Sequence, residues 1–211
     1  MLFRSRECDF AAWRPSARYD HKCRAAPRLR RFRAARKTER DTVEKRSQTS
    51  IEEYLAKTYR PDCDYVDGVL IERNVGRKDH SSLQGEVYAW FRERRRSLHL
   101  TAFTELRIRV GPTRYRIPDA CVVTLPAPDE QIFTQPPYIC IEILSPGDTF
   151  PKLQDRFDDY LTMGVPNLWL LDPTSKRAWR ITHEGHIEAL DGILRTHDGQ
   201  VILPILELFA A

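Results

Sequence analysis

Two apolar, β-branched segments lie close together between Arg116 and Ser145, and each carries one carboxylate. They are Ile117-Pro118-Asp119-Ala120-Cys121-Val122-Val123 and Tyr138-Ile139-Cys140-Ile141-Glu142-Ile143-Leu144-Ser145. A carboxylate within such a strand is costly to bury unless a positive charge sits beside it. Two such strands, near in sequence, therefore suggest a shared cation, and strand alternation allows Asp119 and Glu142 to meet on one surface of neighbouring strands.

Charge divides the chain before any fold is considered. Residues 1 to 50 hold 15 Lys and Arg against 6 Asp and Glu, a balance of +9, which leaves −5 for the remainder of a chain whose net charge is +4. The N-terminal part shows no sustained apolar period, so residues 1–48 are expected to form a disordered basic arm or an extension ahead of the domain proper. Such an arm would add phosphate contacts and salt-dependent affinity for nucleic acid. No apolar run approaches the roughly 18 residues of a membrane span. The five cysteines are odd in number, scattered and never in a C-x-x-C pair, which fits a reducing cytoplasm and argues against a disulfide framework or a zinc site.

From residue 49 to residue 211 the pattern is that of one folded domain. Ser50 followed by Glu53 is a capping box, and Ile51, Tyr54 and Leu55 share a face of a short helix that Pro61 stops. Asp64 to Glu72 reads as a hairpin turning at Asp67-Gly68. His80 to Arg96 places Leu83, Val87, Trp90 and Phe91 on one helical face. Thr101 to Val110 and Tyr115 to Thr124 read as an antiparallel strand pair about Gly111-Pro112-Thr113, with Asp119 inside the second strand. The four prolines between Leu125 and Pro137 make a loop that crosses an edge or rims a site. After the Glu142 strand, Lys152 to Met163 predicts a helix capped by Gly164, and Asn167 to Pro173 a strand buried on both faces. The rest, Arg177 to Phe209, reads as a short β-rich tail. The order helix, three strands, helix, strand points to an α/β sandwich on a mixed sheet.

Each carboxylate taken alone has a plain structural reading, Asp119 as a turn cap and Glu142 as the partner of an arginine. Together they repel and raise a pKa unless a divalent ion or a base neutralises them. Mg²⁺ held by one or two carboxylates with waters and substrate phosphate would suit them.

Ile117-Pro118-Asp119-Ala120, Ile141-Glu142-Ile143-Leu144-Ser145-Pro146, Tyr160 with Gly164-Val165, and Trp169-Leu170-Leu171-Asp172-Pro173, preceded by Tyr65-Val66-Asp67-Gly68 and His80, resemble the Uma-two family of endonucleases in the PD-(D/E)XK restriction-endonuclease-like superfamily. The resemblance covers roughly residues 49–211. It implies a restriction-endonuclease-like αβββαβ core with a mixed central sheet, an N-terminal helix plus β-hairpin, and a metal-dependent endodeoxyribonuclease acting on DNA with Mg²⁺ or Mn²⁺. In the superfamily the aspartate and glutamate, here Asp119 and Glu142, hold the metal, and the backbone carbonyl at Ile143 can add a ligand. A lysine two residues past the glutamate positions the attacking water, but this chain has Leu144 there. Uma-two members similarly carry a lysine on the following helix, a position that corresponds here to Arg156. Arginine brings fixed charge and can clamp a phosphate, but it cannot act as a base. Lys152, one turn earlier, is a substitute candidate, and solvent-facing helix cations are the plain reading of both.

Three further residues complete the candidate set. Asp64 stands near a family glutamate position, with an edge-strand charge as the simpler reading. His80 opens the long helix and would approach phosphate or serve as general base, with an exposed helix-terminal histidine as the simpler reading. Glu105, on the first core strand, would join the acidic cluster. Superfamily relatives often dimerise to cut both strands, so a homodimer is a further expectation. A non-catalytic nuclease-like module binding nucleic acid or a protein is the competing reading, and Leu144 is what supports it.

Overall fold

Glu142 lies in the middle of a six-stranded sheet, and the order of that sheet explains how Asp119 reaches it. The computed structural model describes residues 48 to 209 except Val75, and the expected basic arm lies outside those residues. The elements are α1 (Ile51–Ala56), β1 (Cys63–Val66), β2 (Val69–Glu72), α2 (Lys78–Glu93), α3 (Arg95–Leu98), β3 (Leu100–Thr104), β4 (Ile108–Gly111), β5 (Arg114–Arg116) and β6 (Ala120–Thr124). They continue with β7 (Ile139–Ile143), α4 (Phe150–Met163), β8 (Leu168–Asp172), β9 (Arg177–Thr182), β10 (Gly185–Glu188), β11 (Ile193–Arg195), β12 (Ile202–Pro204) and α5 (Ile205–Leu208).

The main sheet runs β10-β9-β8-β7-β6-β3 and is mixed, because β7 and β8 are parallel while the other neighbours are antiparallel. Every residue of β7 is buried, as both faces of a central strand must be when helices cover the sheet. On one face Leu83, Val87 and Phe91 of α2 pack against Ala120, Val122, Ile139, Ile141 and Trp169. On the other, Leu153, Phe157 and Tyr160 of α4 pack against Cys121, Cys140, Leu168 and Ile181. The alternation of the strands thus feeds two cores, one under each helix. This is the α/β sandwich on a mixed sheet that the element order anticipated.

The two long strands expected over 101–110 and 115–124 are each broken and shared between two sheets. Glu105 adopts a positive φ of 51°, and Pro118 has no N–H to give to a ladder. The chain therefore leaves the main sheet after β3, forms β4 and β5 in a second sheet of order β2-β1-β5-β4, and returns at β6. β3 pairs with β6 and β4 with β5, so the broken pair turns the corner together. This corrects the placement of Asp119, which stands in the bend between the sheets rather than inside a strand, and of Glu105, which follows β3 in an exposed bend. The second sheet rests with α1 on a small aromatic core of Tyr54, Tyr65 and Tyr115.

The hairpin turn forms at Asp67 (φ 50°) and Gly68 (φ 89°), the two positive φ values a tight two-residue hairpin turn needs. The proline-rich loop crosses the edge of β4, where Phe133 exchanges backbone hydrogen bonds with Arg107 and Arg109. The tail is less purely β than expected. β9 and β10 extend the main sheet, but α5 closes the α2 core with Ile205 and Leu208, and Trp90 Nε1 donates to Glu207 Oε2 at 2.8 Å.

Candidate active site

Asp119 and Glu142 meet where the two sheets part. Asp119 Oδ2 accepts the backbone N–H of Ile143 at 2.7 Å, which ties the bend before β6 to the residue after Glu142. Arg73, just beyond β2, donates from Nη2 to Asp119 Oδ1 at 2.5 Å. His80 Nε2, from the first turn of α2, lies 3.4 Å from Asp119 Oδ2. Gln84 Nε2, one turn further on, donates to the Asp119 carbonyl at 2.9 Å. Asp119 is 2 % exposed and Glu142 1 %, so both need such partners.

Glu142 receives a different set. Arg156 Nη1 donates to Oε2 at 2.6 Å and the Tyr160 hydroxyl donates to Oε1 at 2.7 Å. Both come from α4, four residues apart and hence on one helical face. Arg156 Nη2 turns to Asp148 Oδ1 at 2.9 Å, and Asp148 also accepts from Asn74 and from the Ser145 N–H.

Burial acts on the two acids in the same direction, but the partners separate them. Burial alone would push the Asp119 carboxyl up; the contacts from His80 and Arg73 and the Ile143 N–H outweigh it and hold the group below its ordinary value. For Glu142 burial dominates and raises the group to about 7, against the pull of Arg156 and with the negative charge of Asp119 adding to the rise. Adjacent carboxylates whose environments drive their pKa values apart are a recurrent feature of acid and base sites. Burial pulls His80 down, but Asp119 more than compensates and raises it.

Arg73, His80, Gln84, Glu105 and Asp119 line a cleft of about 590 Å³. On the other side of His80 a second cleft of about 430 Å³ is bordered by Arg77, Leu144, Asp148 and Thr174. His80, whose simpler reading from sequence is an exposed helix terminus, is instead 8 % exposed between them. Glu105 reaches the first cleft, with Gln84 Nε2 3.5 Å from its Oε1. Lys152 is exposed and borders a small pocket with Arg73, Asp148 and Arg156. Asp64 is no edge charge: it is 3 % exposed, accepts from Arg116 Nη1 and the Ile117 N–H, both at 3.1 Å, and so braces the approach to Asp119. Arg116 is further held by Asp155 and, at 2.6 Å, by Asp159, which fastens β5 to α4. Among the described residues no three His, Cys, Asp or Glu side chains converge as a ligand set.

Arg73, Asp148 and Tyr160 were absent from the candidates drawn from sequence. Asp148 had a signal, the Ser-Pro-Gly-Asp turn directly after the Glu142 strand. Arg73 had none, since it lies 46 residues from Asp119, just past the end of β2.

A family model described as "Putative restriction endonuclease" matches residues 51–208. The chain belongs to the Uma2 family. Among solved structures it is similar to a "putative nuclease belonging to DUF820" from Anabaena variabilis, with a TM-score of 0.64 and 23% identity over 75% of this chain and 96% of that one. No curated protein matches. Uma2 membership and the shared fold agree with the family and core that the sequence resemblance implies, and among the described residues no helix is long and apolar enough to cross a membrane.

Proposed function

We propose that this Uma2 protein is an endonuclease that hydrolyses DNA phosphodiester bonds with Mg²⁺ or Mn²⁺ at a PD-(D/E)XK-type site. The supporting observation is the junction of Asp119 and Glu142 through the Ile143 N–H at a cation-lined cleft. The residues fit a hard ion chemically, since Asp119, Glu142 and the Ile143 carbonyl offer only oxygen donors and leave the remaining positions to water and phosphate. Arg73 on Asp119 and Arg156 on Glu142 show that each carboxylate sits where positive charge is accommodated. A bound ion would polarise the phosphoryl oxygen and make water a stronger nucleophile.

The chain's own groups do the positioning. Tyr160 and Arg156 fix both oxygens of Glu142, and His80 and Ile143 fix Oδ2 of Asp119. Arg156 supplies fixed positive charge near the charge that develops on the phosphoryl oxygens, and Lys152, at the rim, adds a mobile one. Leu144 does neither. The buried free thiols Cys63, Cys121 and Cys140 suit a reducing cytoplasm. The test is plasmid nicking with Mg²⁺ or Mn²⁺: Asp119→Ala and Glu142→Ala should each abolish cleavage, and activity that survives both substitutions would sink the assignment.

One observation favours the non-catalytic module instead. Both terminal nitrogens of Arg156 already donate, to Glu142 and Asp148, alongside the apolar Leu144. Calorimetric titration with Mn²⁺ separates the readings: the enzyme binds the ion at millimolar concentration or below, whereas the module gives no heat.

A further inference from the structure

We infer that Arg73 is a catalytic residue that contacts the scissile phosphate, bringing from the β1–β2 hairpin the positive charge that Leu144 does not provide. The inference rests on the nuclease reading above and assigns a phosphate ligand to a group outside the motif.

Of the arginines that bond to the acid pair or brace the elements carrying it, all but Arg73 are spent. Arg156 divides its fork between Glu142 and Asp148. Arg116 is held by Asp64, Asp155 and Asp159, and Arg114 by Asp67, Asp155 and Asp159. Arg73 differs: Nη2 binds Asp119 at 2.5 Å, while Nη1 is shielded from solvent and has no acceptor among the described residues. A buried donor without an acceptor is costly, and proteins retain few of them without a reason.

Position supplies the reason. Arg73 borders the cleft of about 590 Å³ together with Asp119 and His80. A phosphate brought to Asp119 lies within reach of a guanidinium already bonded to that carboxylate, and a planar guanidinium can serve a carboxylate with one nitrogen and a phosphate oxygen with the other. The strand itself cannot deliver the charge. Leu144 borders an apolar pocket with Phe150, Leu153 and Phe157. Arg73 enters from just beyond β2 and places positive charge beside the acid pair from a different element.

The experiment measures binding of a short fluorescein-labelled DNA duplex to the full chain in EDTA over a range of KCl, followed by cleavage with Mn²⁺. Arg73→Gln should lower the slope of log affinity against log salt by about 1, as loss of one phosphate contact does. It should also reduce kcat by roughly 10²- to 10³-fold, the effect of removing one transition-state donor. Arg73→Lys should restore the slope but not kcat, because an ammonium cannot hold Asp119 and phosphate in one planar fork. Arg195→Gln, at the exposed Arg195–Asp191 pair, should change neither. Unchanged affinity and slope for Arg73→Gln would overturn the inference whatever happens to cleavage, since the residue would then only support the fold. Should Arg73→Gln fail to fold, Arg73→Lys decides, and wild-type kcat in that variant overturns the proposal. A wild-type chain that binds but never cuts removes the nuclease reading, while the slope still decides the phosphate contact.

Discussion

Removing one oxygen tests how the buried acid pair is held. Tyr160→Phe deletes the hydroxyl that donates to Glu142 Oε1 at 2.7 Å and leaves the ring in the α4 core. Tyr160 is 0 % exposed and Glu142 1 %, so water cannot replace the donor without rearrangement. A hydrogen bond to a charged group is worth about 1.5–3 kcal/mol, and one to a neutral group about 0.5–1.5 kcal/mol. The cost therefore depends on the protonation of Glu142, which burial raises from 4.5 to about 7. A carboxyl whose folded pKa lies above its unfolded value contributes stability that is complete below pH 4.5 and is lost as pH rises through about 7. The Tyr160 hydroxyl opposes that loss, because it stabilises the ionised form. In urea unfolding followed by tryptophan fluorescence in EDTA buffer, Tyr160→Phe should cost about 1 kcal/mol at pH 5 and about 2–3 kcal/mol at pH 8. At 2–4 °C per kcal/mol for a domain of this size, that is a fall in Tm of roughly 4–12 °C at pH 8. An equal penalty at both pH values would refute the raised pKa, and a penalty below about 0.5 kcal/mol at pH 8 would refute the hydrogen bond itself.

Two perturbations further from the acids follow from the same geometry. A Cβ at Gly147 would stand 2.6 Å from Asn74 Oδ1, so Gly147→Ala must displace Asn74 from Asp148 and loosen the Asp148 grip on Arg156. Because a short polar side chain can yield, the cost should be about 1 kcal/mol, read as a fall of roughly 2–4 °C in Tm, together with a reduced cleavage rate; an unchanged rate would detach Asp148 from function. Deleting residues 1–48 removes the whole +9 balance of the first 50 residues from a chain whose remainder is −5. Fluorescence anisotropy with labelled DNA should show weaker binding and a flatter salt dependence with the fold retained, and identical affinity and slope would exclude the arm from binding.

Much of the architecture was legible because local signals and the global fold agree. Leu83, Val87 and Phe91 marked the buried face of α2, Gly164 with its φ of 94° marked the end of α4, and the apolar run at 168–171 marked a strand covered on both sides. The misread elements were those where a period continued across a corner. Alternation through Phe103, Leu106, Ile108 and Val110 looks like one strand, yet Glu105 turns the chain into a second sheet. Period-two burial persists on both sides of such a turn, so the pattern alone cannot reveal it. The same corner lifts Asp119 out of the strand and lets its side chain reach the Ile143 N–H.

The sequence by itself determined that the segments carrying Asp119 and Glu142 would neighbour each other in a mixed sheet between two helices, since hydrophobic period and strand order are local and short-range properties. Only the tertiary structure decided what surrounds them. Arg73 and His80 reach Asp119 from the hairpin and from α2, while Arg156 and Tyr160 reach Glu142 from α4. Ion pairing falls steeply with distance, and separations of 14 to 46 residues along the chain shrink to hydrogen-bond length only after the sheets and helices have packed. No periodicity in the sequence records which cation each buried acid will meet.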